Sequence, residues 1–247
     1  MIFKEQNYRN ALVYICQFNV IQTAYNMKKL KDDWYKNSTW NGTIDSKFED
    51  ALKRARGNYN KAEYLQIQGS LLLDNAQPNI QAVGVALLSR LLEDFPQEHS
   101  SVILAQEKLG DYYLQQNNHQ QAIHFFTLVT NYCIEQNSRG GTTTISDLKL
   151  AEALFKTNES INLEQAYLLV IKYPVALLKT TTQKFYYAAL AARICHILQK
   201  KEEATNFANT ALALPVVLKP VATNRKPSAA NKQMETILKI LEEISKQ

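Results

Sequence analysis

Glycine and proline are scarce in this chain, 7 and 6 among 247 residues, and cysteine occurs three times. So few backbone breakers disfavour a turn-rich β-fold, and no alternating β-branched run bounded by hairpin turns is found either. The breakers that exist sit where helices end or loops begin: Pro78, Pro96, Pro174 and the pair Gly140-Gly141. No apolar run approaches the roughly 20 residues a membrane span requires. Met1 to Gln6 turns polar at once, which disfavours a signal peptide. Cys16, Cys133 and Cys195 are odd in number, far apart and in apolar helical settings. Reduced, buried thiols and a cytoplasmic location are therefore expected.

Chemistry-bearing patterns are missing as well. His99, His119, His124 and His196 have no metal-ligand spacing with one another or with cysteine. Cys195 and His196 are adjacent, but neighbouring helical residues diverge by about 100°, which keeps them from exchanging a proton. Ser138-Arg139-Gly140-Gly141-Thr142-Thr143-Thr144 superficially resembles a phosphate loop, yet it lacks the lysine and the preceding strand. The expectation is a non-enzyme with no metal or cofactor site. A formal charge of +5, from 28 basic and 23 acidic residues, is too weak and too interrupted to favour nucleic acid. Trp34 and Trp40 lie close together, either to anchor a partner or to pack a long loop.

What the chain does have is 46% hydrophobic residues arranged at helical spacing. The clearest stretch is Leu109-Gly110-Asp111-Tyr112-Tyr113, then a polar turn over 115–119, then Ala122-Ile123-His124-Phe125-Phe126. A small residue on each of two helices lets their axes approach to roughly 8–10 Å. The spacing predicts a contact of Gly110 with Ala122, with Leu109, Tyr113 and Phe126 filling the surrounding space. Weaker copies follow the same plan, with small residues at Ala11, Ala51, Ala86, Ala166 and Ala204. First helices are more degenerate: Leu150, Ala151 and Leu154 precede Ala166, and Ala188, Ala191, Ala192 and Cys195 precede Ala204. Before Ala86, two registers fit, Leu65/Gly69/Leu72 or Tyr64/Ile67/Leu71.

This pattern, L-G-x2-Y…A-x3-F, resembles the tetratricopeptide repeat (TPR) family. Gln106 stands where the family often has tryptophan, and no other repeat keeps the whole Leu-Gly-Tyr set. The resemblance implies an all-α fold, a right-handed superhelical array of antiparallel helix hairpins over residues 1–214. Residues 215–231 read as a connector. Residues 232–247 read as an amphipathic capping helix with Met234, Ile237, Ile240, Leu241 and Ile244 on one face. The segment Met1 to Phe18 matches only the second half of a repeat, so the expectation is either an N-terminal cap or a chain that begins inside a longer array.

The family's function implies a non-catalytic scaffold that takes a peptide or protein in the groove lined by its first helices. Carried onto this chain, the groove positions are Glu107, Asp111, Leu114, Glu152, Phe155, Tyr186, Arg193 and His196, with Gln66 and Ser70 as weaker entries. Glu107 and Asp111 replace the Lys and Asn of the carboxylate-clamp subgroup, so a ligand with some basic character suits the site better. Both are expected to be exposed. The alternative is a regulatory or assembly subunit that packs through its N-terminal hairpin, which leaves room for a homo-oligomer.

Overall fold

Two of the hairpins turn by the same backbone device, bond for bond. In one, Asn117 lies in the left-handed region, its N–H donates to Leu114 O at 3.2 Å, and Asn118 N–H donates to Tyr113 O at 2.9 Å. In the other, Gln199 is left-handed, its N–H donates to His196 O at 3.1 Å, and Lys200 N–H donates to Cys195 O at 2.9 Å. The bond from the second residue past the helix back to its last turn, with a left-handed residue before it, is a Schellman closure. The next helix then starts at once, with Ala122 N–H on Asn118 O and Ala204 N–H on Lys200 O. Superposing the turns in sequence puts Gly110 on Ala192, Ala122 on Ala204 and Phe126 on Ala208. These two hairpins share a turn as well as a residue pattern, which is compatible with a helical repeat.

The computed structural model describes residues 33–215 and 229–247. Among these there are ten α-helices, one short 3-10 turn and no strand. They are α1 Gly42–Arg54, α2 Asn58–Leu73, α3 Pro78–Asp94, α4 His99–Gln115, α5 His119–Glu135, α6 Ser146–Thr157, α7 Ser160–Ile171, α8 Thr181–Ile197, α9 Lys201–Leu212 and α10 Ala229–Ile244. The 3-10 turn is Val175–Leu177. Two compact units share them, one running to Ser146 and the other beginning at Asp147.

In the first unit α2 packs on α3, α4 on α5, and α2 and α3 both pack on α4. Its core is Phe48, Leu52, Ala62, Leu65, Leu72, Leu88, Leu91, Ala105 and Leu109, all buried. Leu65, Gly69 and Leu72 are buried whereas Tyr64, Ile67 and Leu71 are only partly so, which decides the register. Ala86 is exposed, so it is not the small residue of its helix. That role falls to Gly84. A Cβ on Gly84 would stand 2.8 Å from Gly69 O and 2.9 Å from Leu73 N, so α2 and α3 cross backbone to backbone.

At the crossing predicted at Gly110 and Ala122, the nearest neighbour of Gly110 is an aromatic ring. A Cβ on Gly110 would meet the Phe126 ring at 2.7 Å, one turn beyond Ala122. Gly110 therefore makes room for an aromatic side chain, while Ala122 is fully buried beside it. Trp34 and Trp40 pack rather than project: their rings lie 5.3 and 5.4 Å from Phe48, and Trp34 also meets Tyr64 at 4.9 Å. The buried Gln68 amide fixes that loop by accepting from Asn37 N at 2.9 Å and donating to Asn37 O at 2.8 Å.

In the second unit α8 packs on α7 and α9, and α10 packs on α8 and α9. Nearly every residue of α8 from Phe185 to Cys195 is buried, which explains its run of alanines: a helix covered on all sides has no room for large side chains everywhere. Met234, Ile237, Ile240, Leu241 and Ile244 of α10 are buried, while Lys239, Glu242, Glu243 and Lys246 face solvent. The amphipathic face expected from the sequence is the face that packs. The helix begins at Ala229, three residues before the expected start. Ala11, Cys16 and the Met1 to Phe18 segment lie outside the described residues.

Candidate functional site

The eight groove positions carried over from the family divide by burial. Glu107, Leu114, Glu152, Phe155, Tyr186 and Arg193 are buried; Asp111 and His196 are partly exposed. Glu107 was expected at the surface and is 3% exposed. Its carboxylate accepts from Thr143 N–H at 3.0 Å, from the Thr143 hydroxyl, and from Ser146 Oγ at 2.9 Å. The loop that superficially resembles a phosphate cradle thus holds the protein's own carboxylate. Glu107 staples that loop at the point where α6 begins. Within the same loop Thr144 is left-handed at φ 66°, strained for a β-branched residue.

The positions in the second unit form a buried polar set. Tyr186 on α8 donates its hydroxyl to Glu152 Oε2 on α6 at 2.6 Å, and Lys156 Nζ lies 3.4 Å from Glu152 Oε1. Arg193 is fully buried, its guanidinium 4.9 Å from the centre of the Phe155 ring. Charged groups are seldom buried without partners, and here each sits among charged, hydroxyl or aromatic groups. These residues tie α6 to α8. The family pattern put them in an exposed groove, and the structure buries them, because helical spacing cannot tell an inward charge from an outward one.

Cys195 and His196 diverge as expected of adjacent helical residues. Cys195 Sγ lies 3.9 Å from Glu203 Oε2, which also accepts from Tyr167 OH at 2.9 Å; His196 Nδ1 lies 3.0 Å from Gln247 Oε1. Burial, then the Glu203 carboxylate, pushes the Cys195 thiol up to about 12. At neutral pH the sulfur stays a thiol and is a poor nucleophile. In a variant with Cys16 and Cys133 replaced by serine, iodoacetamide should label native Cys195 at least about a hundredfold more slowly than the unfolded chain. Labelling at the unfolded rate would refute this.

Among the described residues no group of three or more His, Cys, Asp or Glu is placed to hold a metal ion, and no helix is long and apolar enough to cross a membrane. Two features escaped the sequence reading. Gln68 is a buried amide whose loop partner lies far away in sequence. The outer face of α7 carries exposed Ile161, Leu168 and Ile171, with Val175 just beyond the helix. They recur at helical spacing just as the inward Leu163, Ala166 and Val170 do, so spacing alone does not say which face is covered. Comparison of the chain with protein-family models, with curated proteins and with solved structures finds no match.

Proposed function

We propose that this chain is a TPR-like interaction scaffold that binds a peptide or protein partner and performs no chemistry of its own. The observation that carries the reading is the repeated hairpin, with its shared turn at Asn117/Asn118 and Gln199/Lys200 and a small residue at each crossing. Repeats of this kind bury their apolar faces against neighbours and leave a long surface for recognition. Of the acidic residues assigned to the groove, Glu107 and Glu152 are buried and Asp111 is partly exposed with its Oδ1 buried, so the case for a basic ligand narrows to the exposed part of Asp111. In the second unit His196, which the shared turn superposes on Leu114, is the partly exposed groove position.

The test is quantitative affinity capture with wild type, Asp111→Arg and His196→Glu, each checked by thermal melting. At least one captured protein should fall about tenfold in yield with Asp111→Arg, and high salt should reproduce part of that loss because exposed charges are screened over about 10 Å at 0.1 M. Capture unchanged by both variants would move binding off the first helices. A second reading, an assembly subunit, draws support from one observation: apolar side chains standing in solvent on α7. The N-terminal hairpin once expected to mediate assembly lies outside the described residues.

A further inference from the structure

We propose that the outer face of α7 is a two-fold self-association surface on which a second copy of this chain docks antiparallel, centred on Leu168. α7 is 12 residues long and buries Leu163, Ala166 and Val170 on one side. The opposite side carries Ile161, Glu164, Gln165, Leu168, Ile171 and Lys172, all exposed. At 100° per residue these six fall within one stripe about a third of the circumference wide. Lys172 belongs to it because its N–H still donates to Leu168 O, 3.1 Å away, which keeps it one turn above Leu168. Ile161 is 68% exposed, Leu168 48% and Ile171 42%, and Val175 follows at 49%. These account for half of the strongly exposed large hydrophobic residues among the described residues.

The order of residues along the stripe selects the occupant. Glu164 and Lys172 each lie four positions from Leu168, on opposite sides, and Ile161 and Val175 each lie seven. A two-fold axis through Leu168 therefore sets Leu168 against its own copy and Glu164 against Lys172, twice over, while Val175, past the end of α7, only adds apolar surface beside the stripe. That is the self-complementarity an isologous interface requires: residue i meets j, and j meets i. A parallel arrangement would instead oppose Glu164 to Glu164 and Lys172 to Lys172. Neither residue forms an ion pair within the chain among the described residues, so both are available at the rim. A stripe three turns long falls short of the roughly 1,200–2,000 Å² of a stable interface. The pair is consequently a weak dimer that forms with rising concentration, independent of whatever the groove binds.

Sedimentation velocity from low micromolar to near-millimolar protein tests this on the full chain. Wild type should pass from monomer to dimer across that range. Leu168→Glu should hold it monomeric, and circular dichroism melts should be unchanged because the side chain is at the surface. Glu164→Lys and Lys172→Glu should each weaken association about tenfold, since each creates two like-charge contacts per dimer. The double exchange Glu164→Lys/Lys172→Glu should restore it to within about threefold, which only an antiparallel pairing of these two residues explains. A wild type that stays monomeric throughout overturns the proposal, as does a dimer that survives Leu168→Glu or a double exchange that fails to rescue. None of these outcomes bears on Asp111-dependent capture, so the two readings fail separately.

Discussion

Gly84→Ala should destabilise the protein by about 1–2 kcal/mol, although alanine is the better helix former. In an open helix this exchange gains up to about 1 kcal/mol from backbone entropy alone. At Gly84 the new methyl would sit 2.8 Å from Gly69 O and 2.9 Å from Leu73 N, and both are backbone atoms of α2. A side chain could swing aside; a hydrogen-bonded helix backbone cannot, so the two helices must separate. Overpacking of this kind costs roughly 1–3 kcal/mol, occasionally more, and it exceeds the propensity gain. Gly84→Leu should be worse, with a loss of about 3 kcal/mol or more. Gly42→Ala is the control: nothing lies within 4 Å of its added Cβ, so it should be neutral or slightly stabilising. Thermal and urea melts decide the matter. Equal stability for Gly84→Ala and wild type would mean that α2 and α3 do not cross at this point.

The same crossing shows how far sequence reading reaches. The hairpin at 105–135 was legible because one small residue, a polar turn and an aromatic recur at fixed offsets in it. The α2–α3 hairpin was legible as a hairpin, but its contact was placed at Ala86, two residues from the true one. Two residues on a helix are about 200° apart, so that slip exchanges the buried face for the exposed one. Gly84 and Ala86 are both small, and only the partner helix distinguishes them. The C-terminal helix was read correctly down to each buried residue because its apolar and polar faces separate cleanly. α8 gave no such signal: it is buried on every side, so its charged Arg193 and its Ala192 carry no facial information. The candidate site suffered most from this. Asp111 and His196 are partly exposed, whereas Glu107, Glu152 and Arg193, placed in the groove by the family pattern, are buried. A family pattern carries no information on the partners this chain supplies from elsewhere: Thr143 and Ser146 for Glu107, Tyr186 for Glu152.

Charge reversal at Glu107 measures that failure directly. An exposed glutamate on a helix changes to lysine with less than about 0.5 kcal/mol of effect. Glu107→Lys should instead cost about 3–5 kcal/mol, because it buries an ammonium against the Thr143 N–H and two hydroxyls that now donate to a carboxylate. Glu107→Gln keeps the shape and one acceptor but turns an amide N–H₂ toward those donors, and the loss should be about 1–3 kcal/mol. The loop contributes to the cost. Thr144 at φ 66° is held in a conformation worth roughly 1–3 kcal/mol of strain, and the bonds from Thr143 and Ser146 to Glu107 flank it. Releasing them lets the loop relax away from the native path, so Thr144→Gly should be stabilising in wild type and should recover less in Glu107→Ala. Denaturation midpoints for the series wild type, Glu107→Gln, Glu107→Ala and Glu107→Lys, with and without Thr144→Gly, test this ordering. Asp111→Arg, one turn further along the same helix and partly exposed though with its Oδ1 buried, should cost clearly less than Glu107→Lys. If Glu107→Lys melts with Asp111→Arg and wild type, the carboxylate is not the anchor of the loop, and Glu107 returns to the surface where the family resemblance first put it.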